Sequence, residues 1–365
     1  MSATPEATTR FSERMKLLTA PGHFRQQQGL MMSSMGLGTY LGNADAATDE
    51  NYRKAIVRSV EMGVNVLDTA INYRFQRSER SIGQALRDLT QSGIAVRDEI
   101  VLATKAGFIS FDGEMPRNPR EYFVKNFVET GIIGPVDIVA GSHCMTPRYL
   151  GHQIDQSLLN LGVNTIDIFY LHNPETQLSE IQHDDFYKRL RVAFGFLEGA
   201  VSSGKIRMYG TATWNAYRVP AGSPDFLSIE NVVQCARDVA GDKHHFRVVQ
   251  LPYNLAMTEA FILANQTLNG KLLTMLEASS ELGLTVMASA SLCQNRLSRD
   301  LRLFLSEHMK DLSTDSQRAI QFVRSTPGIA VSLAGMSQIP HVEDNLAVAT
   351  VPPVSEKIAG LFNAS

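Results

Sequence analysis

Cysteine is scarce in this chain: three among 365 residues, Cys144, Cys235 and Cys293, none in a C-x-x-C pair. That excludes a disulfide framework and a cysteine zinc site, and it fits a reducing compartment. An excess of one charge is also missing. Lys and Arg total 34 against 37 Asp and Glu, the net charge is −3 and the pI is about 6.3. The basic residues are scattered, which gives no field for nucleic acid or an anionic membrane. No stretch approaches the 18 or so apolar residues of a membrane span, and MSATPEATTR lacks the apolar run of a secretory signal. A soluble, cytoplasmic protein is expected, with oligomeric state left open. A dinucleotide fingerprint is absent too. Gly36, Gly38 and Gly42 invite it, but GLGTYLG reads G-x-G-x-x-x-G, with Leu41 where the third glycine belongs. These glycines read instead as close backbone approach at a strand end.

What the chain does have is a repeated unit. In Val64–Tyr73, VNVLDTAINY, a short apolar run with β-branched character closes on Asp68, and Tyr73 follows five residues later. Glu99–Lys105 repeats the pattern, EIVLATK, closing on Lys105, and Thr165–His172, TIDIFYLH, closes on His172. Amphipathic helical segments separate these runs. Thr48–Met62 has Thr48 as its N-cap, Ser78–Leu89 follows the first run, and Thr146–Pro147 starts a helix that Gly162 stops. Leu30–Tyr40 reads as the first strand, and Ile206–Thr211, Phe246–Pro252, Leu284–Ala290 and Ile329–Ala334 as the later ones, with Lys271–Leu282 a helix between two of them. Eight strands, each followed by a helix, without a composition break, predict one (β/α)8 TIM barrel over residues 22–365. Residues 1–21 read as a polar N-terminal arm, mobile or loosely packed. After the third strand, Gly107–Cys144 is longer than an ordinary connection and carries Pro116, Pro119 and Pro135, which makes it a candidate substrate lid.

Parallel barrel strands all end at one mouth, so Asp68, Lys105 and His172 are predicted to meet there with Tyr73. The combination has a chemical logic. An ammonium beside a phenol lowers its pKa, a carboxylate holds the ammonium, and an imidazole orients a carbonyl oxygen. Such a site protonates an oxygen that gains negative charge, as when hydride reaches a carbonyl carbon.

On DTAINY, LATKAG and YLHNPE the sequence resembles the aldo-keto reductase family, from about Gln27 to Ala349. The resemblance implies a catalytic tetrad of Asp68, Tyr73, Lys105 and His172, with Tyr73 as general acid or base. It also implies an extended nicotinamide cofactor, NADP or NAD, held without a Rossmann fold. By the same resemblance Gly38, Thr39, Tyr40 and Asp68 line the mouth, and Gln250 in VVQLPYN bonds the nicotinamide amide. IRMYGTATWN places Ala212 and Thr213 where Ser and Asn are usual in the family. VMASASLCQNRL places Ser289 where an aromatic often stacks, and carries Ser291, Leu292, Gln294 and Arg296 onto the cofactor segment. In VSLAGMSQIPHVEDNLAV, Gly335, Ser337, Gln338, Glu343 and Asn345 fall on the adenosine-binding positions, and Ser337 and Gln338 replace the basic residue that often grips a 2′-phosphate. Arg296 and Arg299 are possible substitutes.

The function implied is an NAD(P)-dependent oxidoreductase acting on a small-molecule carbonyl or alcohol. Two alternatives stand beside it: a nucleotide-binding regulatory barrel with little turnover, and a redox-neutral lyase or epimerase using tightly held NAD. Tyr40 and Trp214 read as pocket walls. His244 and His245 read as part of a solvated loop, since no further metal ligand has suitable spacing, and Cys144 and Cys293 as inert thiols near the mouth. Arg117, Arg120 and Lys125 in the insertion fit a polar or anionic substrate and fit a solvated lid surface equally well.

Overall fold

The computed structural model describes residues 2–134, 136–294, 296–297, 309, 311–355 and 358. Pro135 and Arg299, named above, lie outside them. Eight parallel strands close into a barrel: β1 (Met35–Gly38), β2 (Val66–Asp68), β3 (Val101–Ala106), β4 (Ile166–His172), β5 (Ile206–Ala212), β6 (Phe246–Pro252), β7 (Thr285–Ser289) and β8 (Ile329–Gly335). β8 pairs with β1, Gly335 opposite Gly38, so no strand edge is left open.

Residue parity sorts the side chains. Successive residues of a strand point to opposite faces, and Val66, Val101, Ala103, Ile168, Tyr170, Val248, Met287, Val331 and Leu333 share the barrel-interior cluster. Their neighbours Leu67, Leu102, Phe169, Val249 and Val286 pack outward in the larger cluster with the helices. Continuing each inward row by two residues reaches Asp68, Lys105, His172, Gln250 and Ser289. One close approach is obligatory: a Cβ on Gly210 of β5 would lie 1.7 Å from the carbonyl oxygen of Val248. Only glycine fits there.

Four expectations about elements are corrected. The arm is a packed helix, Pro5–Arg14, capped by Thr4, with Phe11 buried. Arg10 and Arg14 reach Glu99 at 3.1 and 2.9 Å, and the Ala3 N–H donates to Asp167 at 2.6 Å. Leu30–Tyr40 is not one strand. Leu30–Ser33 pairs antiparallel with Phe24–Gln27 as a hairpin whose Leu30 and Met32 plug the barrel interior, and β1 starts only at Met35. The helix before β2 is capped by Asp45, which accepts from the Thr48 N–H at 2.7 Å, not by Thr48. Lys271–Leu282 divides into a strand, Lys271–Thr274, paired with Ala264–Leu268, and a helix, Met275–Glu281, boxed by Thr274 and Glu277.

The insertion after β3 does not form a lid. Phe127, Ile133 and Cys144 pack on Tyr149 in a small core of their own, against the helix Pro147–Leu161. Among the described residues of this segment only Phe108 lines the cavity at the barrel mouth, and Arg117, Arg120 and Lys125 do not.

Candidate active site

The cavity, about 440 Å³, lies over the C-terminal ends of the strands. Gly38, Thr39, Tyr40, Asp68, Tyr73, His172, Ala212, Thr213, Gln250, Ser289, Ser291, Leu292, Gln294 and Gly335 all line it. Lys105 sits beneath this layer, fully buried. Its Nζ donates to Asp68 Oδ1 at 2.6 Å and to the Thr69 carbonyl at 2.8 Å. The other carboxylate oxygen of Asp68 accepts from Gln250 Nε2 at 2.8 Å. The carboxylate is thus clamped from two strands, and part of the Gln250 amide that the resemblance assigns to nicotinamide is already committed.

Lys105 Nζ lies 5.1 Å from the centroid of the Tyr73 ring, which meets Tyr40 and His172 edge to face at 5.0 and 5.8 Å. The expected lowering of the phenol's pKa is not what the geometry gives. Burial, then the Asp68 charge, then Tyr40 push Tyr73 well above its ordinary value. The ammonium is neutralised by Asp68, and burial lowers the pKa of Lys105 against the pull of that carboxylate. Tyr73 therefore keeps its proton across the neutral range.

His172 is half-buried at the cavity wall, and desolvation, then the charge of Lys105, drives its pKa well below the ordinary value. It is neutral. Its Nδ1 is buried without a partner among the described residues. Its backbone carbonyl accepts from His143 Nε2 at 2.8 Å, His143 Nδ1 accepts from Gln177 Nε2 at 2.9 Å, and Gln177 Oε1 accepts from Arg189 at 2.7 Å. This chain fixes the His143 tautomer, since a carbonyl only accepts. It also explains Gly107, where a Cβ would come 2.7 Å from both His143 Nε2 and the His172 oxygen.

Sequence reasoning missed Asn72, Phe108 and Asn173 as lining residues and left Glu175 without a role. Asn173 and Glu175 stand inside YLHNPE, so a signal was present. Tyr40 and Trp214 are indeed cavity walls. The remaining assignments fall elsewhere. Arg296, Ser337, Gln338, Glu343 and Asn345 lie outside the lining; Arg296, Gln338 and Glu343 are exposed, Ser337 is half-buried and Asn345 is buried, and Glu343 pairs with Arg58 at 2.9 Å. His245 is hydrogen-bonded to Glu198 at 2.7 Å, and among the described residues no group of three or more His, Cys, Asp or Glu is placed to hold a metal.

A model of the Aldo/keto reductase family matches residues 34–363. The chain belongs to this family. It is 27% identical over 212 residues to the 6-dehydroglucose reductase of Novosphingobium aromaticivorans, covering 57% of each chain. It is 26% identical over 192 residues to the NADH-specific methylglyoxal reductase of Escherichia coli, covering 51% of this chain and 50% of that one. The chain thus aligns with only about half the length of these reductases, 57% of the first and 50% of the second. In fold it is similar to an aldo/keto reductase from Klebsiella pneumoniae solved with NADP and acetate, with a TM-score of 0.63 and 21% identity over 94% of this chain and 95% of that one. Among the described residues no helix is long and apolar enough to cross a membrane.

Proposed function

We propose that this aldo/keto reductase family member is an NAD(P)-dependent oxidoreductase that exchanges hydride between nicotinamide and an aldehyde or ketone, or the corresponding alcohol. The observation that carries the reading is the buried Lys105–Asp68 pair set under a protonated Tyr73 at the floor of the cavity. Bound nicotinamide would supply the hydride. Thr213 fits that group, because its Oγ1 is buried at the cavity wall with no partner among the described residues. Gln250, Ser289, Ser291 and Leu292 would complete its holder, with Gly38 and Gly335 leaving the backbone open at the rim. NADP and NAD are both accommodated in this reading: Ser337 offers a hydroxyl to a 2′-phosphate, and the nearby cation Arg58 is taken by Glu343.

Tyr73 is the general acid for reduction. The Tyr73 hydroxyl and neutral His172 both donate to the substrate carbonyl oxygen, and His172 orients it without competing for the proton. As that oxygen gains negative charge, the phenol gives up its proton, and the ammonium over the ring offsets the phenolate charge. Lys105 thus acts when charge develops, not by lowering the resting pKa. Asp68 and Gln250 hold the ammonium in place. Alcohol oxidation runs the same step in reverse, starting from the phenolate form of Tyr73, which takes the alcohol's proton as hydride leaves.

The test is to follow nicotinamide absorbance on mixing the purified protein with NADPH or NADH and a panel of aldehydes and ketones. Carbonyl-dependent oxidation is expected. Nucleotide binding with no turnover on any carbonyl would favour the regulatory barrel instead.

A further inference from the structure

Glu175 follows His172 by three residues, in the helical turn Pro174–Ser179, and the steps above leave it unused. It is 7% exposed. Its Oε1 crosses to the next loop and accepts from the backbone N–H groups of Trp214 at 2.7 Å and Asn215 at 3.4 Å. Its Oε2 is buried without a partner among the described residues. The two loops it joins each supply a wall of the cavity, Asn173 from the β4 side and Trp214 from the β5 side. Trp214 is held at its other backbone group as well, its carbonyl accepting from Arg218 Nε at 3.0 Å, and Arg218 is paired with Glu259 at 2.8 Å. Trp214, 42% exposed, is held by its backbone between these two anchors.

We propose that Glu175 is a positioning residue that clamps the β4 and β5 loops together through the backbone of Trp214, and so sets the width of the substrate-facing half of the cavity. This rests on the oxidoreductase reading only for its kinetic consequence. The carboxylate does not line the cavity, so it acts on fit and not on the reacting oxygen. A buried carboxylate with one oxygen unpaired is an expensive way to tie two loops, and it makes the clamp responsive to protonation. Burial raises the Glu175 pKa to about 7, with Asp225 on the following loop adding to the rise. Tyr217, whose phenol is bonded to Thr211 at 2.8 Å, is the other titratable group facing it.

The chain has a single tryptophan, so Trp214 fluorescence reads the clamp directly. Three forms are compared: wild type, Glu175→Gln, which keeps an acceptor oxygen but cannot ionise, and Glu175→Ala, which removes the acceptor. Glu175→Ala is expected to raise KM for a bulky aldehyde roughly tenfold while kcat changes less than about threefold, and to shift Trp214 emission to the red. Glu175→Gln is expected to recover most of the wild-type KM. Wild-type emission is expected to titrate near neutral pH, and Glu175→Gln emission to stay flat. Folded Glu175→Ala with wild-type emission and KM overturns the clamp, as does a Glu175→Gln titration identical to wild type. If no carbonyl is turned over, the emission arms still decide the clamp, and the oxidoreductase reading fails separately. If Glu175→Ala does not fold, the comparison of wild type with Glu175→Gln decides it.

Discussion

On the β2–β4 side of the cavity each polar group is the last member of an inward row: Val66 then Asp68, Val101 and Ala103 then Lys105, Ile168 and Tyr170 then His172. Asp68 and Lys105 are buried and bonded to each other, His172 is half-buried and packed against Tyr73 and Phe108, and all three are placed by the register of their strands. On the β7–β8 side the residues assigned to the nucleotide stand mostly beyond the strands. Gln294 sits at positive φ, as do its neighbours Ala290 and Cys293, Gln338 and Glu343 are exposed, and Glu343 is paired with Arg58. The contrast teaches where precision is built in. Proton chemistry needs placement to a fraction of an ångström and takes it from strands, whereas a long cofactor is held by many weak contacts on loops.

If that division is right, substitutions on the β2–β4 side should be the more damaging. Lys105→Met strands the Asp68 carboxylate in a buried site, and we expect a loss of roughly 10³-fold in kcat together with about 3 kcal/mol of stability, read from steady-state kinetics and chemical denaturation. Glu175 gives the next effect. Its folded pKa, about 7, lies above the ordinary 4.5. A raised carboxyl contributes its stabilisation fully below the ordinary value and loses it as pH rises through about 7. The advantage of Glu175→Gln over wild type should therefore grow from pH 5 to pH 8, by up to on the order of 3 kcal/mol. Thermal melts at several pH values check it; an advantage that shrinks with pH contradicts the assignment.

Gly107→Ala pushes a methyl into His143 and the His172 carbonyl, and about a tenfold fall in kcat is expected with nucleotide affinity little changed, measured by kinetics and nucleotide titration. The smallest effect belongs to the other side. Ser289→Tyr adds a ring where none stands, and a gain of a few-fold in nucleotide affinity, about 1 kcal/mol, is expected by calorimetry. A collapse of kcat in that variant would show that the β7 side is as tightly toleranced as the β2 side.

The same contrast explains what the sequence disclosed. Short apolar runs closing on a polar residue, alternating with amphipathic helices, made the barrel and the convergence of Asp68, Lys105 and His172 readable, because strand ends are local properties. The helix Pro5–Arg14 was readable as well, since Thr4–Pro5 starts it as Thr146–Pro147 starts the later one, but its polar composition hid the buried face of Ala7, Thr8, Phe11 and Ser12. What sequence could not disclose depended on packing between distant segments. Nothing local shows that Arg74, Phe75 and Gln76 all take left-handed conformations after Tyr73, or that the insertion folds onto its own aromatics and leaves the mouth uncovered. The Asp68–Gln250 bond joins residues 182 positions apart, and the Glu175 clamp joins two loops. The direction of the Tyr73 pKa was misread for the same reason: burial, which sequence does not report, outweighs a neighbouring charge that Asp68 already neutralises.

The central claim is that Tyr73 delivers the proton from a floor built by Lys105 and Asp68. Tyr73→Phe tests it most directly, because the ring and its edge contacts with Tyr40 and His172 are retained and only the hydroxyl is lost. Measured beside wild type, the variant should bind the nicotinamide nucleotide with unchanged affinity while its carbonyl-reducing kcat falls by at least about 10²-fold. Turnover within a few-fold of wild type would contradict the account.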